Sequence, residues 1–191
     1  MATINVRERR IDTKIVYYGP AQSGKTTNVV NVHSRLPEEF RGPLRSIDTE
    51  DERTLFFDFM PVQEIEVGGW SLRFHLYTVP GQKDYVRTRR AILGGADGIV
   101  FVADASPEQA AANRDSVVEL AGHLAYYGRN ETSLPIVLQV NKTDLDNARE
   151  VIDVVEDLND AAWPVFPAMA IRGIGVAETL GAIAKAVSRS L

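Results

Sequence analysis

The stretch that decides the fold is GPAQSGKT, Gly19 to Thr26. An apolar run, Ile15, Val16, Tyr17 and Tyr18, precedes it, and a helix is predicted from Thr26 to Leu36. Strand, tight loop and helix in that order turn the pattern G-x-x-x-x-G-K-[ST] from a string match into a phosphate site. Gly19 and Gly24 let the backbone turn sharply and aim its N–H groups inward. The start of the helix adds N–H groups that have no intrahelical acceptor. In this pattern Lys25 reaches the β- and γ-phosphates and the Thr26 hydroxyl ligates magnesium. The predicted phosphate-binding set is Gly19, Pro20, Ala21, Gln22, Ser23, Gly24, Lys25, Thr26 and Thr27.

The rest of the chain is consistent with one domain around that loop. It has 191 residues, 45% of them hydrophobic, enough for a single packed core. Residues 1–10 read as a polar N-terminal arm and residues 11–191 as the domain. A formal charge of −5 gives no support for nucleic acid as the main partner. Cysteine is absent, which excludes disulfides, thiolate metal sites, a cysteine nucleophile and lipidation at sulfur. There is no run of 18 apolar residues, so no spanning helix is expected. The opening MATINVRERR lacks a signal-peptide core, and Ala2 breaks the myristoylation pattern. A cytoplasmic location is the expectation.

Strands and helices then alternate. Ile11 to Tyr18 read as the first strand, covered on both faces in its apolar second half. In the following helix Val29, Val32 and Leu36 share a face, leaving Asn28 and His33 toward the wetter side. Pro37 ends that helix, and the polar stretch to Thr54 reads as a mobile loop. LFFDF, Leu55 to Phe59, and Val62 to Val67 are strand-like, Gly68-Gly69 is a hairpin turn, and Trp70 to Thr78 return as a strand with His75 on its polar side. Later strands are predicted at Gly98–Ala103, Leu134–Val140 and Pro164–Pro167. Helices are predicted over residues 107–127, over residues 146–159 and from Gly175 onward. The expected fold is a three-layer α/β domain with helices on both faces. Its sheet has six strands, mostly parallel with one antiparallel strand, and its motif loops lie at the carboxyl ends of strands.

Two further motifs fall at such strand ends. In TVPGQ, Thr78 to Gln82, the Gly81 N–H can bond a γ-phosphate oxygen, and the Gln82 amide can both donate and accept, which suits it to orient an attacking water. In NKTD, Asn141 to Asp144, the Asp144 carboxylate can accept from guanine N1–H and the 2-amino group. Adenine offers neither donor and would leave the carboxylate desolvated and unpaired. Lys142 can lay its aliphatic stem along the base, and Asn141 can tie this loop to the phosphate loop. A weaker third stretch is Met169, Ala170 and Ile171, where a backbone N–H can meet guanine O6. Ala170 and Ile171 complete the predicted nucleotide contacts.

Together these residues resemble a small Ras-like GTPase with the three-layer P-loop fold. KIVYYGP at 14–20, GKTTN at 24–28, ERTLFFDF at 52–59, RFHLYTVPGQ at 73–82 and DGIVFVAD at 97–104 resemble, more narrowly, the bacterial MglA family of polarity GTPases. The resemblance runs from about Ile11 to the C-terminus. It implies GTP–GDP switching with Mg2+, and hydrolysis stimulated by an MglB-like roadblock-domain homodimer. It also implies polarity or motility effectors and recruitment to a cell pole or membrane by partners. By the same resemblance Arg53 is a catalytic arginine beside Gln82 and Lys25, offsetting charge on the transferring group.

Two departures stand out. Ala21 occupies a loop position that is usually glycine, so slower hydrolysis or a differently shaped partner is expected. Thr78 stands where most Ras-like chains carry an aspartate near magnesium. The expected ligand is then Thr26, with Thr54 as a second candidate. The main alternative is a nucleotide-dependent binding module with negligible hydrolysis of its own. An ATP or metabolite kinase is disfavoured by Asp144 and by the lack of a second substrate-binding or lid domain.

Overall fold

The computed structural model describes residues 2–48, 53–59 and 66–191, without the side chains of residues 47, 48, 53–59, 66 and 83. In chain order the elements are β1 (Thr3–Asn5), β2 (Arg10–Tyr18), α1 (Lys25–Arg35), β3 (Arg45–Asp48), β4 (Arg53–Phe59), β5 (Glu66–Val67) and β6 (Trp70–Thr78). There follow α2 (Val86–Leu93), β7 (Gly98–Asp104), α3 (Ala110–Tyr126), β8 (Ile136–Asn141), α4 (Val151–Leu158), β9 (Val165–Ala168) and α5 (Val176–Arg189).

The backbone of the molecule is the expected six-stranded sheet, in the order β4-β6-β2-β7-β8-β9. Only β4 runs antiparallel to its neighbour β6 within these six. Three short strands extend it. β3 pairs antiparallel with β4 at the edge, β5 forms a hairpin with β6, and β1 folds back on the start of β2. The N-terminal polar stretch thus contributes a strand, with Thr3 opposite Asp12 and Asn5 opposite Arg10.

Parity along the strands explains the two cores. Successive side chains on a strand point to opposite faces. Ile15 and Tyr17 of β2, with Val100 and Val102 of β7, face α1 and α5, where Val29, Val32, Ile183 and Val187 close over them. Val16 and Tyr18, with Ile99 and Phe101, face the other way, under Leu93 of α2, Leu120 and Leu124 of α3, and Val154 and Leu158 of α4. β7 is buried at every position, which is why its sequence is apolar without alternation.

The chain adds β6 on one side of β2 and β7 on the other. The loop after β2 therefore opens at the point where the winding reverses, and open α/β sheets bind ligands there.

Several local readings change. Asn28 is fully buried, not on the wet side of α1. Its amide and that of Gln139 on β8 exchange hydrogen bonds of 2.7 and 3.0 Å, and Gln139 Nε2 also donates to Thr179 Oγ1 on α5 at 3.0 Å. Asn28 Nδ2 also donates to the Gly24 carbonyl at 3.0 Å. The helix expected over residues 146–159 starts only at Val151, because Leu145 to Arg149 form turns tied back to the sheet. The Ala148 N–H bonds the Leu145 carbonyl at 3.0 Å and the Arg149 N–H bonds the Ala105 carbonyl at 2.8 Å. Part of the polar stretch after α1 is strand β3, and the predicted strand positions Val62 and Ile65 lie outside the described residues.

The Asn28–Gln139–Thr179 network makes a stability prediction. Gln139→Ala removes packing volume and leaves buried Asn28 polar atoms without their partner, which costs about 2–4 kcal/mol. Urea denaturation should show a lower midpoint at an unchanged slope, whereas an unaltered midpoint would mean that the network contributes nothing.

Candidate nucleotide site

The phosphate loop takes its shape from backbone conformations that suit few residues. Gly19 has φ of 141°, Gln22 60° and Gly24 101°. The last is the αL residue that caps α1 at its N-terminus. In αL and related conformations glycine avoids the Cβ penalty, and consecutive N–H groups converge into an anion-binding concavity. A side chain at Gly19 would also press on the Val102 carbonyl of the adjoining strand. Lys25 is buried, and its ammonium bonds the carbonyls of Gly19 at 3.0 Å and Pro20 at 2.5 Å. The charge is held inside the curl of the loop, where an anion's oxygens would meet it.

Asn141 joins this loop to the others. Its Nδ2 donates to the Ser23 carbonyl at 2.8 Å, and its Oδ1 accepts from the Ala170 N–H at 2.9 Å. The Ala170 carbonyl in turn accepts from Asn31 Nδ2 of α1 at 2.7 Å. Thr143 fixes the motif from the other side, its N–H and hydroxyl both bonding the Ala168 carbonyl, at 3.3 and 3.1 Å.

Lys142 adopts φ of 65° and pairs with buried Asp104 at 2.5 Å, so its stem is held across the pocket edge. The Asp104 carboxylate also accepts from the Ser106 N–H at 2.9 Å and hydroxyl at 2.6 Å. Asp144 stands partly exposed beside the Arg172 guanidinium, 3.8 Å away. Of the predicted pair, Ile171 is 78% exposed, whereas Ala170 is buried and its N–H is given to Asn141.

The TVPGQ stretch leaves β6 against the phosphate loop. The Val79 N–H bonds the Tyr17 carbonyl at 3.2 Å, which carries the chain alongside the end of β2. Gly81 then comes so close that an added Cβ would lie 2.6 Å from the Ala21 nitrogen and 2.9 Å from Lys25 Nζ. Only glycine tolerates that approach. Gln82 follows at the rim of a cleft of about 780 Å³ that runs between the phosphate loop, α2 and α3.

The structure thus brings together the phosphate loop, Gly81, Gln82, Asn141, Lys142, Asp144 and Ala170. Arg53 begins β4 and Thr54 follows it, but their side chains lie outside the described residues. Thr26 is exposed in the first turn of α1. A neutral hydroxyl oxygen there, next to a phosphate cradle, is the donor that magnesium takes beside phosphate oxygens and water. The residues present therefore fit the metal.

Sequence reasoning missed a group of side chains below the site. Arg89 is 4% exposed and forms a two-pronged ion pair with Glu119 of α3. Tyr18 and His123 join them. Burial pushes the Tyr18 phenol well above its usual range, helped by Glu119, and pulls His123 below its usual value against the opposing effect of Glu119. The only cue in the sequence was the helical spacing of Arg89 and Leu93, four residues apart.

A glycine-rich cradle with an inward lysine, bonded through one asparagine to an N-K-x-D loop, defines a P-loop nucleotide-binding protein of the GTPase class. Comparison with known proteins narrows this. A model of the Ras family matches residues 14–188. The chain is 46% identical over 191 residues to the mutual gliding-motility protein MglA of Myxococcus xanthus (strain DK1622), covering 100% of this chain and 98% of that protein. It is 23% identical over 187 residues to ADP-ribosylation factor-like protein 6 of Caenorhabditis elegans, covering 93% and 88% of the two chains.

The chain belongs to the Ras family and is closely related to MglA. It is a GTP-hydrolysing switch protein that binds GTP and GDP with Mg2+. The kinase alternative falls with this assignment. No helix among the described residues is long and apolar enough to cross a membrane.

The junction made by Asn141 should be measurable. Asn141→Ala removes both hydrogen bonds that hold Ser23 and Ala170 together, and GDP dissociation, followed with a fluorescent analogue, should quicken about tenfold or more. An unchanged dissociation rate would show that the loops hold one another without it.

Proposed function

We propose that this chain is a polarity or motility switch whose GTP hydrolysis is slow alone and is completed by a roadblock-fold homodimer. The observation that carries the catalytic part is the approach of Gly81 to Ala21 and Lys25. It sets Gln82 at the edge of the phosphate cradle. In this reading the loop N–H groups and Lys25 bind the β- and γ-phosphates, and the Gly81 N–H bonds a γ-phosphate oxygen. Gln82 orients the attacking water through its carbonyl and amide, without acting as a strong base. Arg53, at the start of β4, supplies positive charge to the transferring group. Thr26 holds magnesium, with Thr54 as a second ligand. Magnesium, when bound, offsets phosphate charge. Asp144 selects guanine, Lys142 covers the base, and a backbone N–H of the Met169–Ile171 stretch meets O6.

The partner and the cellular role rest on the likeness to the gliding-motility protein. We extend that protein's part in gliding motility to this chain, together with effector binding, a cytoplasmic location and recruitment to a pole or membrane by partners. The first switch spans the stretch up to Thr54, the second Gly81 to Arg90, and GTP holds both until hydrolysis releases them.

A second reading, a nucleotide-dependent binding module with negligible turnover of its own, is favoured by one observation. The backbone of Ala21, the residue that adds a methyl to the loop, is where TVPGQ packs most closely, an added Cβ at Gly81 lying 2.6 Å from the Ala21 nitrogen. Crowding there works against the close positioning that transfer needs.

Single-turnover hydrolysis separates the readings. With the organism's own roadblock-fold protein added, the rate should rise by about two orders of magnitude or more. Negligible turnover in its presence would favour the binding module. Gln82→Leu should slow turnover about a hundredfold with GTP affinity nearly unchanged, and a variant as fast as wild type would remove Gln82 from the mechanism. Ala21→Gly should speed intrinsic turnover. No gain, with or without the partner, would clear the methyl of any role.

A further inference from the structure

We infer that Arg89 and Glu119 are positioning residues for hydrolysis: a buried clamp that holds the backbone of Pro80 to Gln82 to helix α3 and so fixes where Gln82 stands. The inference deepens the proposed function and, for its catalytic part, rests on the role given there to Gln82.

The geometry begins with the cation. Arg89 lies in the first half of α2, yet it is turned inward and buried. Its Nη1 donates to the Pro80 carbonyl at 3.1 Å and also to the Gln82 carbonyl. These two carbonyls flank Gly81, the residue pressed against Ala21 and Lys25. The other edge of the guanidinium faces α3, where Nε donates to Glu119 Oε2 at 3.0 Å and Nη2 to Oε1 at 2.8 Å. A planar guanidinium fixes two partners at once along its two edges, which a lysine cannot do.

Glu119 is itself held. The Tyr18 hydroxyl donates to Oε2 at 3.1 Å, and Tyr18 is the last residue of β2, directly before Gly19. A hydroxyl has one proton. Spent on the carboxylate, it leaves its lone pairs for Nδ1–H of a neutral His123, 3.1 Å away. Burial keeps that histidine neutral by lowering its pKa. The α2 helix is tied to α3 a second time, by the Tyr127 hydroxyl on the Arg90 carbonyl at 2.9 Å and by Arg90 over the Tyr126 ring.

A chain of contacts therefore runs from the last residue before the phosphate loop, through Glu119 and Arg89, to the carbonyls on either side of Gly81. A buried ion pair is weak evidence for stability, because desolvation offsets much of the attraction. Its better use is to specify one arrangement, and the arrangement specified here is that of the segment carrying Gln82. Removing Glu119 leaves the guanidinium buried without its counter-charge, and removing Arg89 leaves the carboxylate buried and takes one donor from each of the Pro80 and Gln82 carbonyls.

The test uses the full chain loaded with nucleotide. In Glu119→Gln the carboxylate becomes an amide of nearly the same shape, which keeps the packing and removes the charge that aligns Arg89. Amide hydrogen exchange over residues 81–85 should rise about tenfold, since the segment opens more often. Single-turnover hydrolysis should fall by a similar factor, with GDP affinity within about twofold of wild type. Arg89→Lys keeps a charge but cannot bridge both sides, and it should reproduce both effects.

The decisive comparison is the double variant. If the clamp acts through Gln82, Glu119→Gln in a Gln82→Leu background should slow hydrolysis no further. Unchanged exchange in residues 81–85 overturns the clamp, whatever the kinetics. Raised exchange with equal slowing in both backgrounds overturns its action through Gln82. A Gln82→Leu variant as active as wild type refutes the catalytic reading of Gln82 instead, and the exchange arm still decides the clamp.

Discussion

The site depends on one side-chain amide. Asn141 donates to the phosphate loop at Ser23 and accepts from the base loop at Ala170, so the two loops cannot shift independently. A bent loop of this kind is conformationally costly. It needs Gly19, Gln22 and Gly24 at positive φ and an ammonium facing its own carbonyls. Held only by its ends, such a segment would sample other shapes, and fixing it on binding would cost entropy. The buried Asn28–Gln139–Thr179 network continues the bracing beneath α1, so the loop, the first helix, β8 and α5 behave as one support.

The second switch is braced in a different way. Its contact with the phosphate loop is a close approach at Gly81, against the backbone of Ala21 and the Lys25 ammonium. What fixes it comes from behind, through Arg89 to α3. The division is physically sensible. Contacts that must respond to a γ-phosphate have to be weak without it, since a ligand can shift an equilibrium only by its differential affinity for the two states. An anchor in α2 itself, at Arg89, confines that response to the few residues between β6 and the helix.

The fold and most of the site were legible in the sequence because both rest on local patterns. An apolar run, glycines at fixed offsets and a helix start make the phosphate loop recognisable. NKTD and VPGQ are short, and both fall at strand ends. The buried polar layer was not legible. Asn28 looks like a surface residue because its type is polar, although Val32 four residues on shares its face, and its partner Gln139 is 111 positions distant. Arg89 and Glu119 are separated by 30 residues, and both belong to residue types that normally face water. Pairing of this kind depends on how helices pack, which periodicity within one helix does not encode. The same holds for β3, whose charged sequence becomes a strand only because β4 offers it an edge.

On the base side of the pocket, the proposed role of Asp144 sets an electrostatic requirement. An ionised carboxylate that is to receive a guanine must stay solvated or paired, because a bare buried charge is costly. Asp144 is only partly exposed, and the Arg172 guanidinium stands 3.8 Å from it. That separation is long for a hydrogen bond, and Arg172 is well exposed, so the pair is weak. A weak, movable counterion is what such a site can use. It steadies the carboxylate without competing strongly with the two N–H donors of guanine. Arg172 also sits on a loop that Arg35 of α1 grips by its carbonyls, at 3.0 Å to Arg172 and 2.9 Å to Gly173. With the backbone held there, the exposed Ile171 side chain is free to vary while the Ala170 N–H keeps its place. In the proposed role, then, specificity rests on Asp144 and on a backbone position, and neither depends on the Ile171 side chain.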